Sequence, residues 1–556
     1  MSRAGWLLVV VAVGCSGGAK AQRVSAPGNA SNIVRGGDHV AYLADVGSGT
    51  GATGDLHVAG TTPGSDTRVA GKVSAGGFVL SPDGATLFFT QLTSSNTDAS
   101  LSWYDVKHGG APRVLFAHGL KTAPNDPEDT SSGVHADSFA DQLFFFSPSG
   151  KYFVIGVLAP NVMVDADLHV IETASGNDVL QRGNGAFAYI QTVLPDDTLL
   201  FQDAVGGDSG PGGPTALLQL FWTRLGSGTA PAAIDARVAN FAPNGDNTRL
   251  IYQRSDRSLF AWDATARPAA AGTALATGAV SFAVGTSAVV YSTGDGGIHV
   301  IGSDGTPKLD VTSAGADVNS PLYLSLDDHD VYYFQAAEPQ NSRGTLMHVA
   351  VAGSTPQKLD EHAGLYDLQI LPHAILYLRN VDATGSVGDA VTAARDGSWV
   401  RALGVGVPVA PEGLPLPQNH TPGGLIVSTG PSGWLAAHLT GARTDMTRRL
   451  VDGGFATLGG LGLATMNGEN KIEASTRAGA YQLADDAESL IYISAAKLNL
   501  MVDNYVGSLS WIATATPTMK PVPITLDDVS ELSSVHQRGL FAVANGKSPG
   551  VYFVSY

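Results

Sequence analysis

The sequence predicts an all-β chain made of many short strands, and three observations carry that prediction. Glycine supplies 68 of the 556 residues, well above the ~7% of an average protein, as many turns between strands require. Ala-, Glu-, Lys- and Leu-rich stretches with the 3.6-residue period of a helix are scarce. A strand–turn–strand pattern recurs along most of the chain.

The clearest unit covers residues 78–116. Phe78-Val79-Leu80 leads into Ser81-Pro82-Asp83-Gly84, and Leu87-Phe88-Phe89-Thr90 leaves it. Pro82 presets φ for the second position of a type I turn, and Asp83 and Gly84 suit the positions that follow, so the segment reads as a hairpin. Strands at 101–106 and, past Gly109-Gly110, at 113–116 bring the unit to four. Phe144-Phe145-Phe146 before Ser147-Pro148-Ser149-Gly150 begins a second copy, and Ala242-Pro243-Asn244-Gly245 lies within a third. Weaker copies keep the strands and lose the proline, at 288–300, 330–349, 375–378 and 490–512.

Asp38, Asp83, Ser149, Asp196, Asn244, Gly285, Asp327, Pro372, Ser432, Asp485 and Gln537 mark eleven such turns, 41 to 66 residues apart. Four strands in each period of ~40–50 residues is the spacing of β-propeller blades. One blade cannot bury both faces of its sheet, so neighbours must stack. The predicted fold is an all-β propeller of four-stranded blades over residues 33–556. Eleven units exceed the roughly four to eight of one ring, so either two rings lie in tandem, dividing near 290–330, or some of the units are insertions rather than blades. The C-terminal strand 550–554 is placed to complete a blade with the first strands.

Ser81-Pro82-Asp83-Gly84 and Ser147-Pro148-Ser149-Gly150, each followed by an aromatic-rich strand, resemble the TolB-type, WD-like propeller repeats. The resemblance implies a propeller that displays loops for binding. The N-terminal α/β domain of TolB-type chains has no counterpart here.

The N-terminus reads as an export signal. Arg3 precedes the apolar run Trp6-Leu7-Leu8-Val9-Val10-Val11-Ala12-Val13, which is too short to span a bilayer and has the layout of a secretory signal peptide, residues 1–14. Ala12-Val13-Gly14-Cys15 resembles the lipobox of bacterial lipoproteins, with Ala12 where Leu is usual, and implies lipidation of Cys15, the only cysteine in the chain. Ser16 beside it implies outer-membrane sorting. Ala19-Lys20-Ala21 offers an alternative site of ordinary cleavage, which would leave a secreted or periplasmic protein. Acyl chains on Cys15 would hold the protein on a membrane surface, not across it. Residues 15–32, rich in Gly, Ala and Ser, read as a flexible tether.

Fifty Asp and Glu stand against 32 Lys and Arg, a formal charge of −18. So acidic a surface, without a basic run, excludes nucleic acid as the expected partner. One cysteine allows no internal disulfide, so stability must come from core burial.

Three constellations remain. Gly207-Asp208-Ser209-Gly210-Pro211 is similar to the nucleophile segment of trypsin-like proteases, but Pro211 replaces a glycine and no histidine has the matching context; it reads as an inter-strand loop. His57, His169, His299 and His348 recur at one strand position in four different units, which favours packing over a shared metal. The insertion that carries Asp126, Glu128, Asp129, His135 and Asp137 is the candidate binding loop, since long loops on a rigid scaffold are where binding concentrates. Its density of oxygen ligands could hold calcium, although the D-x-D-x-D-G spacing of a calcium loop is absent and acidic loops are normally solvated.

No catalytic, cofactor or metal site is assigned. The expected function is a non-enzymatic cell-envelope lipoprotein whose propeller binds a protein, peptide or glycan. The alternative is a hydrolase or lyase in the propeller channel, which would gather carboxylates and histidines at the ends of the inner strands.

Overall fold

The computed structural model of the chain describes residues 20–46, 53–92, 98–121, 144–158, 166–183, 191–205, 217–267, 271–318, 320–353, 355–366, 368–385, 387–408, 425–430, 433–440, 448–449, 455–456, 459–465, 472–483, 489–499, 504–513, 521–533 and 539–555. The protein is a β-propeller. Antiparallel strands form eleven successive blades, and among the described residues the one helical element is a 3-10 turn at Pro339–Asn341.

In each blade but the last the strands pair in chain order. The third blade is Phe144–Phe146, Tyr152–Leu158, Ala166–Glu172 and Asp178–Arg182. The fourth to eighth repeat this plan, beginning at Gln191–Val193, Val238–Pro243, Ala279–Val284, Tyr323–Leu324 and Gln369–Ile370. The first and second blades share the 14-residue strand Thr67–Leu80, whose start is the fourth strand of one and whose end is the first of the next. Ile472–Leu483 joins the ninth and tenth blades in the same way. First strands of successive blades approach one another, so these are the innermost. Eight of the eleven turn positions expected from the sequence fall between the first and second strands of a blade, and Ser432, Asp485 and Gln537 lie outside the described residues.

Consecutive blades bury an apolar seam between them. Phe88 of the second blade stacks on Phe153 of the third, centroids 4.2 Å apart, with both rings fully buried. Burying a side chain of this size contributes ~1.5–3 kcal/mol, and the ring pair somewhat more. Val290, Val300, Val331, Tyr333 and Val349 form one core shared by the sixth and seventh blades. Residues 290–330, expected as the division between two rings, run through that shared core. The eighth blade lies against the ninth through Val400–Pro408 and Gly433–Thr440. The eleventh packs on the first through Phe541, Val543 and Val551 against Val40 and Tyr42. The seams therefore form a circuit.

That circuit is closed by the N-terminal strand. Gly550–Ser555 pairs with Gly539–Ala544 on one side and with Lys20–Arg23 on the other, so residues from both chain ends share the eleventh blade. Val24 is then buried, and the Ser25 hydroxyl accepts the Val551 amide at 2.9 Å. The tether expected over 15–32 is corrected accordingly. From Lys20 onward the segment is strand or packed loop, because the edge of Gly550–Ser555 supplies backbone partners that the local sequence does not reveal. Residues 15–19 lie outside the described residues.

Candidate functional site

The two ends of the blades differ. Register places the connections between first and second strands, and between third and fourth, at one face, here the turn face. The hairpins between second and third strands and the links from blade to blade open on the opposite face, the loop face. Between the described strands, no connection at the turn face is longer than the nine residues 264–272. The segments 122–143, 409–424 and 441–458, together with 206–216 and 312–322, start and end at strand ends of the loop face.

Turn chemistry explains the short side. Ser81 Oγ donates to Asp83 at 2.6 Å and accepts the Thr86 amide at 3.0 Å, which fixes the Pro82-Asp83-Gly84 turn. Ser147 and Ser325 repeat the arrangement. These turns also latch neighbouring blades. The Gly37 amide donates to Pro82 O at 2.9 Å across the first seam. Trp103 Nε1 donates to Thr173 O at 2.9 Å across the second. Arg267 binds Asp196 and, at 2.8 Å, Thr198 Oγ1. Asp328 accepts the amides of Thr286 and Ser287 and the Ser287 hydroxyl at 2.7–2.9 Å. Arg395 meets Asp327 at 2.5 Å. Burial opposes ionisation of Asp327, but bonds from Arg395 and Ser325 outweigh it and hold the carboxyl well below the usual range.

At the loop face, four hairpins share a device that the sequence reading missed. Asp45, Ala336, Asn380 and Ala495 each take φ of 47–52°, Asp45 and Asn380 just past a second strand and Ala336 and Ala495 within the last part of one. The residue that follows (Val46, Ala337, Val381 or Ala496) turns back onto the core. Opposite each bulge the third strand places a glycine: Gly54, Gly344, Gly388 and Gly507. A Cβ at Gly507 would sit 2.3 Å from Ser494 O, and one at Gly54 would sit 2.7 Å from Ala44 O, so only glycine fits. The readable signal is on the third strand, in Gly54-Asp55-Leu56, Gly344-Thr345-Leu346, Gly388-Asp389-Ala390 and Gly507-Ser508-Leu509.

The candidate binding loop with Asp126, Glu128, Asp129, His135 and Asp137 lies outside the described residues, as do Cys15 and the 207–211 segment. The anchors of that loop are placed. Lys121 pairs with Asp98 and Phe144 with Ile155, so 122–143 leaves and re-enters at the loop face between the second and third blades.

The four histidines stay apart. His57, His169, His299 and His348 each bind an aspartate of their own blade, respectively Asp66, Asp178, Asp310 and Asp330, at 2.6–3.1 Å. Tyr42, Tyr291 and Tyr332 pack on three of them with ring centroids 4.9–5.3 Å apart, and Phe116 meets the edge of His169 at 4.7 Å. Among the described residues no three His, Cys, Asp or Glu side chains converge.

The innermost strands carry Arg35 and Glu531 as their charged residues. Both serve the closing seam: Glu531 accepts the Ile33 amide at 3.1 Å, and Arg35 donates to Gly539 O at 2.6 Å. A cavity of about 280 Å³ opens beside the seventh-blade bulge, with Arg343 paired to Glu338 at 2.8 Å and Lys358 to Glu361 at 2.5 Å.

No family model matches the chain, and no curated protein matches it. Among solved structures it is similar to a eukaryotic initiation factor at 10% identity and TM-score 0.38, over 68% of this chain and 90% of that one. It is similar to the tricorn protease at 12% identity and TM-score 0.25, over 95% of this chain and 58% of that one. The β-propeller domain of the trilobed protease from Pyrococcus furiosus is matched at 9% identity and TM-score 0.28, over 68% of this chain and 98% of that domain.

Proposed function

We propose that this chain is a TolB-type, lipid-anchored protein of the bacterial cell envelope that binds a protein, peptide or glycan through its loop face and does no chemistry on it. The observation that carries the reading is the gathering of every long connection at one end of a latched ring. A rigid scaffold that varies loops on one side is the architecture of a binding surface. The innermost strands support the same reading, since their Arg35 and Glu531 are engaged in the closing seam.

The closing strand bears on export. Cleavage after Ala21 would remove Lys20 and Ala21, two of the four residues paired with Gly550–Ser555. Maturation at Cys15 keeps all four, which supports lipidation over ordinary cleavage.

Replacing 122–143 by a short Gly-Ser linker tests the binding role. The full chain and the variant, both membrane-anchored, are compared for partners retained on affinity capture. Loss of a partner from an otherwise folded variant supports the reading. An unchanged set of partners after each long loop-face connection has been replaced in turn contradicts it.

A further inference from the structure

We infer that the anchored chain stands with its turn face toward the membrane and its loop face outward; this rests on the lipid-anchor reading above. Lys20 is opposite Ser555, and Ser555 is opposite Gly539, the first residue of a second strand and hence at the turn face. Arg23, opposite Tyr552, lies toward the loop face, and the chain continues from there to Ala30, whose partner Ala44 ends its strand at that face. The polypeptide therefore enters the ring from the turn side.

Five residue steps separate Cys15 from Lys20. Fully extended they span at most ~18 Å, at ~3.3–3.6 Å per residue. The six residues of Gly550–Ser555 rise ~20 Å from one face to the other at ~3.3 Å each. A lipid on Cys15 thus cannot reach past the blade to the loop face. The exposed carboxylates of Asp38, Asp83, Asp246 and Asp304 sit at the turn face, so electrostatic adhesion to anionic headgroups is not what holds it there. The tether sets the orientation, and every long connection is left facing a partner in the aqueous space.

Lysine footprinting on the full chain tests this. Wild-type protein in phosphatidylethanolamine–phosphatidylglycerol vesicles, and the Cys15→Ala variant in solution, are treated with a bulky water-soluble amine-reactive polymer and read by mass spectrometry. Lys107 and Lys151 belong to the turn face, Lys497 and Lys547 to the loop face. The expected result is modification of Lys107 and Lys151 slowed at least twofold on vesicles, with Lys497 and Lys547 unchanged. Slowing at Lys497 and Lys547 instead, or equal rates at all four, overturns the orientation. Metabolic labelling with palmitate reports separately on the anchor. If wild type takes up no label, the lipidation reading fails, and coupling the thiol of unprocessed chain to a maleimide-headgroup lipid still reads the orientation.

Discussion

Across the first seam the Gly37 amide bonds directly to Pro82 O, and across the sixth Asp328 holds two amides and a hydroxyl of the neighbouring blade. At the other end of the same strands the blades are joined by segments as long as 122–143 and 409–424. One end joins its blades by short turns whose backbone and side-chain groups bond directly across the seam. The other keeps its precision in the strand ends, through the bulges opposite Gly54, Gly344, Gly388 and Gly507, and its strand ends are joined by segments of widely different length. A ring fixed from one side can vary what it displays on the other.

The comparison predicts unequal tolerance of change, and the largest effect belongs at the closing strand. A chain beginning at Val24 loses the Lys20–Arg23 pairing and weakens the burial of Val24, which amounts to roughly 3 kcal/mol. Urea unfolding of that truncation against the full chain measures it, and an unshifted midpoint would mean that the ring does not depend on the strand. Gly36→Ala comes next. Its Cβ would lie 2.2 Å from Ser81 O, backbone against backbone, so overpacking should remove ~2–3 kcal/mol. Asp328→Ala strands two amides at a partly exposed seam and should lower stability by about 1–2 kcal/mol.

Acid should act on the latches as well. The Asp327 carboxyl is depressed by Arg395 and Ser325 against the effect of burial. Asp66 is depressed, again against burial, by bonds from His57, the Ala26 amide and Tyr42. A depressed carboxyl contributes stability that is present above its ordinary value and lost as pH falls through the folded one. The thermal midpoint should therefore hold from neutral pH down to about 4 and fall below it. Asp327→Asn should shrink that fall; an equal fall in the variant would remove Asp327 from the explanation. Smallest of all, a Gly-Ser linker in place of 122–143 should change stability by less than ~0.5 kcal/mol. A larger loss would mean that this connection braces the ring and would blur the distinction between the faces.

The parts legible in the sequence were those set by local chemistry. Pro82, Asp83 and Gly84 specify their turn whatever surrounds them, and the same holds for Ser147-Pro148-Ser149-Gly150, so the repeat was legible where such markers occur, while units without them left the number of blades and rings open. Lys20-Ala21-Gln22-Arg23 has neither alternation nor β-branched residues, and its strand exists because Gly550–Ser555 presents an open edge. Ala336 and Ala495 carry no preference for positive φ, and their bulges are fixed by core contacts of the next residue and by a glycine on the facing strand. The recurrent histidines were readable as packing residues, but the aspartates that bind them come from neighbouring strands at no constant spacing. The face at which a connection starts and ends follows from strand direction alone, and Lys121 and Phe144, which flank 122–143, stand at the loop face.

A single cross-link tests most directly whether the two chain ends close the ring. Ala21 and Val554 are register partners in the eleventh blade. In a Cys15→Ser background, Ala21→Cys with Val554→Cys should oxidise to one intramolecular disulfide under mild conditions and raise the unfolding midpoint. Free thiols in a folded, monomeric protein would show that Lys20–Arg23 is not the fourth strand of the last blade, and the account of a closed, one-sided ring would fall with it.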